Sequence, residues 1–357
     1  MNQYKIGVLH GDGIGTEIVK STVEVVSAAC SHLTHDIVSW EYHPIGWEAI
    51  NKVDTPVPLT TKEALAKLDG WIMGPHDSAS YPEKYKELRN PSGELRHTFD
   101  LYANIRPTKS IPSVKGLVDN ADLVIYRENT EGFYPDRNMY AGVGEWKVTP
   151  DVAISTGVFT RNAITRIALA AFEAAMSRRK KVTIVHKANV IKLGTGMFKE
   201  ICLEVAKDYP DVKVDDYHID AMTAHLVRNI RAFDVVVTEN MFGDILSDLS
   251  GELAGSLGLA PSINTNNHQV MAQAAHGSAP DIAGQNKANP VGILLSTVMM
   301  LEWLANHHKD ERLEELASMI EQSIFSVMEK GVTTPDLKGT ETTASFTQAI
   351  IDKIEGQ

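Results

Sequence analysis

Short apolar runs alternate with longer stretches of helical spacing along most of the chain. Lys5–His10 (KIGVLH), Gly70–Gly74 (GWIMG), Asp122–Glu128 (DLVIYRE), Lys181–Lys187 (KVTIVHK) and Phe233–Asn240 (FDVVVTEN) are brief and apolar, and read as strands. Between them, Thr16–Cys30 sets Ile18, Val19, Val23 and Val26 at helical intervals, and Arg161–Met176 and Gly196–Tyr209 read as further helices. Strands that alternate with helices need crossover connections, which predicts an α/β fold on a mostly parallel sheet. The stretch Gly132–Ser155 breaks the rhythm. It holds Pro135, Gly142, Gly144 and Pro150 and reads as an extended excursion, either an arm toward a partner subunit or a long surface loop.

Composition narrows the class. A chain of 357 residues predicts about two domains. The balance of 34 basic against 46 acidic side chains, net −12, gives no basic footprint for nucleic acid. The longest apolar stretch, Val291–Leu301, is too short for a membrane span, which needs about 20 residues. The start, MNQYKIGVLHGDGIG, lacks the basic, apolar and small-residue sequence of a signal peptide. Cys30 and Cys202 stand far apart and suit a reducing compartment. These features together predict a cytoplasmic enzyme.

Several groups of residues suggest chemistry. HGDGIGTE follows a strand and opens a helix, but Thr16 stands where a dinucleotide fingerprint starting at Gly11 needs Gly or Ala. The glycines then serve either a phosphate or simply a tight turn with positive φ. Asp244 and Asp248 are four apart, so on a helix they share a face. Their repulsion would be relieved by a divalent cation, with Asp220 as a third carboxylate; alternatively Asp244 caps the helix and Asp248 is solvated. Arg96, Arg106 and Arg127 could fork several carboxylates or form ordinary surface ion pairs. Tyr134 and Lys187 are candidate proton-transfer groups, though a lone Tyr or Lys is more often structural.

Taken in order, GDGIG at Gly11, LYANIRP, RENTEGFY, HKANVIKLGTGMF, FGDILSD, HGSAPDIAG at His276 and ANP at Ala288 resemble the β-decarboxylating dehydrogenases. That family acts on isocitrate, 3-isopropylmalate, homoisocitrate, and tartrate or D-malate. The matching pieces span nearly the whole chain. The resemblance implies a two-domain isocitrate/isopropylmalate dehydrogenase-like fold, mostly parallel and not a Rossmann fold. Residues 1–101 and 256–357 would form the large cofactor-binding domain. Residues 102–255 would form a small dimerisation and metal/substrate domain, with an arm at about 132–155.

The resemblance also implies roles. Arg96, Arg106 and Arg127 would hold malate carboxylates. Asp220, Asp244 and Asp248 would bind Mg²⁺ or Mn²⁺, Lys187 would take the hydroxyl proton, and Tyr134 would protonate the enol once CO₂ leaves. His276, Gly277, Ser278, Ala279, Asp281, Ile282 and Asn289 would form the NAD site, with Asp281 on the adenosine ribose. A carboxylate there accepts a 2′-hydroxyl and repels a 2′-phosphate, which favours NAD over NADP. The active site would be shared across a homodimer, Lys187 and Asp220 coming from the second subunit, with tetramers left open.

Three stretches depart from the family pattern. Ile72–Glu83 replaces a more glycine-rich loop, and Asn264–Ala275 stands where many members carry Phe-Glu-Pro-Val before the His. Ahead of the first arginine, Arg89–Leu95 offers Asn90, Ser92 and Gly93, little apolar surface for an isopropyl group. Asn90 and Ser92 are therefore candidate substrate contacts. An isocitrate- or homoisocitrate-like acid leads, 3-isopropylmalate follows, and D-malate or tartrate is third. An inactive regulatory subunit is the non-enzymatic alternative, and a nucleotide binder without decarboxylase chemistry is another.

Overall fold

The computed structural model describes residues 3–33, 37–111, 113–134, 139 and 142–356. Residues 135–138, 140 and 141 of the expected arm lie outside them.

Ten strands make one sheet. They are β1 (Tyr4–Leu9), β2 (Val38–Tyr42), β3 (Gly70–Met73), β4 (Ala103–Lys109), β5 (Asp122–Glu128), β8 (Lys181–His186), β9 (Lys213–His218), β10 (Val235–Thr238), β11 (Ile263–Thr265) and β12 (Val270–Ala272). The order is β2-β1-β3-β12-β11-β4-β5-β10-β8-β9. All neighbours run parallel except β11–β12, β11–β4 and β4–β5. The mostly parallel expectation holds, and the antiparallel segment occupies the middle of the sheet. Strands covered on both faces need apolar residues at every position, and β3 and β10 are buried throughout.

The expected strands lie within a residue or two of those observed, and the helix Arg161–Met176 matches at both ends. Thr160 caps that helix by accepting from the Ala163 N–H. β9 was not expected, because KVDDYH carries no apolar run; it is an edge strand beside β8. The excursion contains a separate hairpin, β6 (Glu145–Thr149) and β7 (Val152–Ser155), every residue of which is exposed.

The main hydrophobic cluster draws on both chain ends. Ile6, Ile18 and Val26 pack with Leu294, Leu301, Ile320 and Phe346. The helix Val291–His308, which carries the longest apolar run, is buried over most of its length in this cluster. Two other clusters flank the far half of the sheet, one around Ile164, Phe172 and Phe198, the other around Ile125, Met222 and Leu246. Among the described residues, no helix is long and apolar enough to cross a membrane.

Candidate active site

The central antiparallel strands set two of the arginines side by side. Asn104 of β4 pairs with Arg127 of β5, and Arg106 lies two residues further along β4, so all three share one face. Arg106 Nε donates to Asn104 Oδ1 at 2.7 Å. Both guanidiniums are buried and meet the helix Asn240–Ala254. Glu239 caps that helix by accepting from the Met241 and Phe242 N–H groups. A Cβ at Gly243 would lie 2.6 Å from Arg127 Cγ, so glycine lets the arginine stem pass. The next residue, Asp244, reaches both cations: Arg127 donates to its Oδ1, and Arg106 Nη1 lies 3.2 Å from the same oxygen.

This answers the doubt about Asp244. It is not the helix cap, since Glu239 fills that position; it is the counter-charge of two buried arginines. Burial pushes the Asp244 carboxyl up. Arg127, Arg106, the Tyr134 hydroxyl and Arg96 together outweigh it and hold the group well below the ordinary carboxylate range. One turn on, Asp248 Oδ1 stands 3.4 Å from Arg106 Nη1. Burial and the neighbouring Asp244 raise its carboxyl. Burial and the adjacent Arg127 lower Arg106 to about 10.

A cavity of about 380 Å³ gathers Asn90, Ser92, Arg96, Arg106, Arg127, Tyr134, Asp244, His276 and Gly277 from the expected residues. Tyr134 donates to Asp244 Oδ2 at 2.6 Å, and its ring lies 5.5 Å from the Arg127 guanidinium. Asn90 caps the helix Pro91–Thr98 by accepting from the Gly93 N–H, with Pro91 at the first helical position. That cap fixes the helix whose last turn carries Arg96. Arg96 donates to Asn129 Oδ1 at 3.2 Å and to Gln273 Oε1 at 3.1 Å. Gln273, Asn129 and His76 escaped the sequence reading. Gln273 sat in a stretch marked only as divergent, and its partners are remote in sequence.

The other expected residues lie apart from the cavity. Lys187 Nζ donates to Asp220 Oδ1 at 2.5 Å, and neither lines the cavity. That hydrogen bond, at a fully exposed carboxyl, holds Asp220 below its ordinary value. Lys187 follows His186, whose Nε2 pairs with Asp216 Oδ1 at 2.8 Å. Ser278, Ala279, Asp281 and Ile282 continue the loop beyond Gly277. This loop packs on the glycine-rich turn: Ile14 N–H donates to Ser278 O, and Gly13, at φ 56°, has no room for a Cβ against that carbonyl. The HGDGIGTE segment forms a tight turn, with positive φ at Gly11 and Gly13.

Two atoms of this loop suit a bound group. His276 Nε2 is buried with no hydrogen-bond partner among the described residues. The Asp281 side chain is exposed and makes no ion pair among the described residues. Asn289, by contrast, is engaged at both ends, donating to Asp336 and accepting from the Val291 N–H. The divergent loop Ile72–Glu83 is tied down by the buried Asp12 carboxylate, which accepts from Asp77 N–H at 2.8 Å and Tyr81 OH at 2.5 Å.

Three guanidiniums around a small cavity, with a phenol and a carboxylate at its wall, suit the binding of small polyanionic acids. The sequence profile of the isocitrate/isopropylmalate dehydrogenases matches residues 5–354, and the chain belongs to that family. It is accordingly an oxidoreductase, a dehydrogenase of a hydroxy acid. It is 39% identical to the 3-isopropylmalate/3-methylmalate dehydrogenase of Methanocaldococcus jannaschii, over 98% of this chain and 99% of that protein. It is 40% identical to the isocitrate/homoisocitrate dehydrogenase of Thermus thermophilus, over 99% of each. The crystal structure of isocitrate dehydrogenase from Methylococcus capsulatus superposes with a TM-score of 0.88 at 37% identity, covering 99% of this chain and all of that one.

Proposed function

We propose that the protein catalyses NAD-dependent, divalent-metal-dependent oxidative decarboxylation of a 3-substituted (2R)-malate, giving a 2-keto acid, CO₂ and NADH. The convergence of Arg96, Arg106 and Arg127 on one cavity beside Tyr134 carries this reading. Buried guanidiniums hold carboxylates bidentately and orient them.

The residues fit an Mg²⁺ or Mn²⁺ ion. Asp244 and Asp248 offer hard oxygens one turn apart, and such ions take a few carboxylates and leave places for substrate oxygens. Among the described residues of one chain, no three His, Cys, Asp or Glu side chains gather at a metal-sized site. Asp220 of the partner subunit would complete the set. Held by these carboxylates, the ion would supply Lewis-acid polarisation of the substrate's 2-oxygen, and NAD, held by the loop His276–Ile282, would supply the hydride acceptor. Lys187 takes the hydroxyl proton as the ketone forms. The C3 carboxylate leaves as CO₂, its bonding electrons pass to the enol, and Tyr134 returns a proton to C3. The hydroxyl of Tyr134, 2.6 Å from Asp244, carries that proton in the resting site.

The loop His276–Ile282 with Asn289 would hold NAD, the Asp281 carboxylate facing the ribose hydroxyls. We adopt the division into residues 1–101 with 256–357, and 102–255, since the main cluster unites the chain ends. A homodimer with shared sites follows from the same reading. Its support is exposed apolar surface: Trp146, Val148, Val152 and Ile154 on the hairpin, and Val190, Leu193, Val227 and Ile245 near Lys187, Asp220 and Asp244 in the chain.

Relatives at similar identity are named for isocitrate/homoisocitrate and for 3-isopropylmalate. The polar wall of Asn90 and Ser92 favours the former, and those names keep 3-isopropylmalate as the second reading. Turnover of isocitrate, homoisocitrate, 3-isopropylmalate and D-malate with NAD and Mn²⁺ tests both. Best activity on isocitrate or homoisocitrate is expected; best activity on 3-isopropylmalate would reverse the ranking.

A further inference from the structure

A second cavity lies at the far end of the helix that carries Asp244 and Asp248. It has a volume of about 390 Å³ and shares no lining residue with the arginine cavity. Its walls come from both proposed domains. The end of β4 and the last turn of the helix Asn240–Ala254 form one side, and the helices Val291–His308 and Glu311–Glu329 form the other. Two contacts along the seam of β4 with the first of these helices lead back toward the arginines. Arg106 Nη1 donates to Ser247 Oγ at 2.7 Å, and two residues on, Thr108 Oγ1 lies 3.0 Å from Ser250 Oγ. Thr108 is itself part of the wall.

The lining is apolar over Ile111, Leu259, Leu295 and Val298, which are buried, and over Met299 and Phe325, which are half-buried. Four charged side chains border it. Arg178 is spent on Asp122 and Asp234, at 2.7 Å each. Glu302 and Glu321 sit on adjacent packed helices, and their side chains make no hydrogen bond or ion pair among the described residues. Partial desolvation against the wall, then Glu321 and Glu314, raise the Glu302 carboxyl, while Lys109 lowers it. The helix Asn240–Ala254 ends here with no basic residue in its last turn, so its carbonyl end adds partial negative charge.

We propose that this cavity binds a small organic ammonium ion with an apolar body. The ammonium relieves the repulsion between Glu302 and Glu321, and the hydrocarbon fills a space of ordinary ligand-pocket size. The inference goes beyond the decarboxylation chemistry and does not depend on it. Two sources share this chemistry: a simple alkylamine, and an α-amino acid with an apolar side chain. They differ in a carboxylate, for which Lys109 is available, exposed at the wall and without an ion pair among the described residues.

Isothermal titration of the full chain with n-propyl-, n-butyl- and n-hexylammonium, hexanoate and L-norleucine tests this. Burial of the hydrocarbon predicts that ammonium affinity rises about fourfold per added methylene. Hexylammonium should bind tighter than hexanoate. Glu302→Gln keeps the shape of an exposed side chain and should weaken hexylammonium roughly tenfold, the worth of a hydrogen bond to a charged group. Met299→Trp fills the cavity and should abolish binding; should it fail to fold, Glu302→Gln and the chain-length series still decide. L-Norleucine tighter than hexylammonium, and weakened by Lys109→Met, supports the site with an amino acid as its ligand; hexylammonium the tighter supports it with an alkylamine. Affinity that does not grow with chain length, hexanoate bound as tightly as hexylammonium, or ammonium binding indifferent to Glu302→Gln overturns the proposal.

Discussion

The Arg106–Arg127–Asp244 cluster and the Lys187–Asp220 pair are both carboxylates bound to cations, and they differ in almost everything else. In the first, two buried guanidiniums converge on one partly buried carboxylate, and Asn104, Ser247, Asn240 and Tyr134 add hydrogen bonds to the three. In the second, the carboxylate is exposed and pairs with a single cation, Lys187. The first is part of the packed interior, so its members serve fold and site together. The second contributes little to stability, as exposed pairs do. Under the proposed shared site, a partner's surface would cover this pair.

Substitution should separate the two. Lys187→Met is expected to lower turnover by roughly 10²–10⁴, the usual worth of a proton-transfer group, with little change in thermal midpoint. Steady-state kinetics alongside a melt checks it, and wild-type turnover would remove Lys187 from the proposed role. Arg127→Met should lower both. Removing one partner of a buried pair costs about 3–5 kcal/mol, and the low end applies because Asp244 is partly solvated. Denaturant unfolding measures this, and an unchanged midpoint would show that Arg106 alone neutralises Asp244.

A smaller effect appears with pH. Burial raises Glu131 and Glu239 to about 7. A carboxyl raised in the folded state keeps a proton that the unfolded chain releases near pH 4.5. Its stabilising contribution is therefore full below about 4.5 and lost as pH climbs toward 7. Asp244 runs the other way: its depressed folded value gives stability above the ordinary carboxylate range, lost as the solution is acidified. Glu239→Gln should flatten the decline between about pH 4.5 and 7 by on the order of 1 kcal/mol, while leaving the loss in acid. An unaltered slope would mean that Glu239 releases its proton as readily as an exposed glutamate.

Much of this contrast could be read in the sequence. Parallel strands announced themselves as apolar runs, and the one-turn spacing of Asp244 and Asp248 put them on one helix face. The arginines were visible as types, and the family resemblance supplied their common purpose. What escaped was pairing across the fold. Gln273, just after β12, meets Ser92 and Arg96 from almost 180 residues away in sequence, and nothing local in QVMAQAA marks it. The antiparallel pairing of β4 with β5, which brings Arg106 beside Arg127, has no local mark in either strand, and β11 and β12, each three residues long, are too short to show a period. Asp12 looked like one more polar turn residue, yet its buried carboxylate ties together three loops.

The central claim is that a complete site needs the arginine cavity of one protomer and Lys187 with Asp220 of another. Its most direct test is to produce Lys187→Met and Arg127→Met together in one cell and compare the mixture with each variant alone. Random pairing makes about half the dimers mixed, each with one undamaged site, so about a quarter of wild-type activity should return. A mixture no more active than its components would contradict a shared site and place all the chemistry within a single chain.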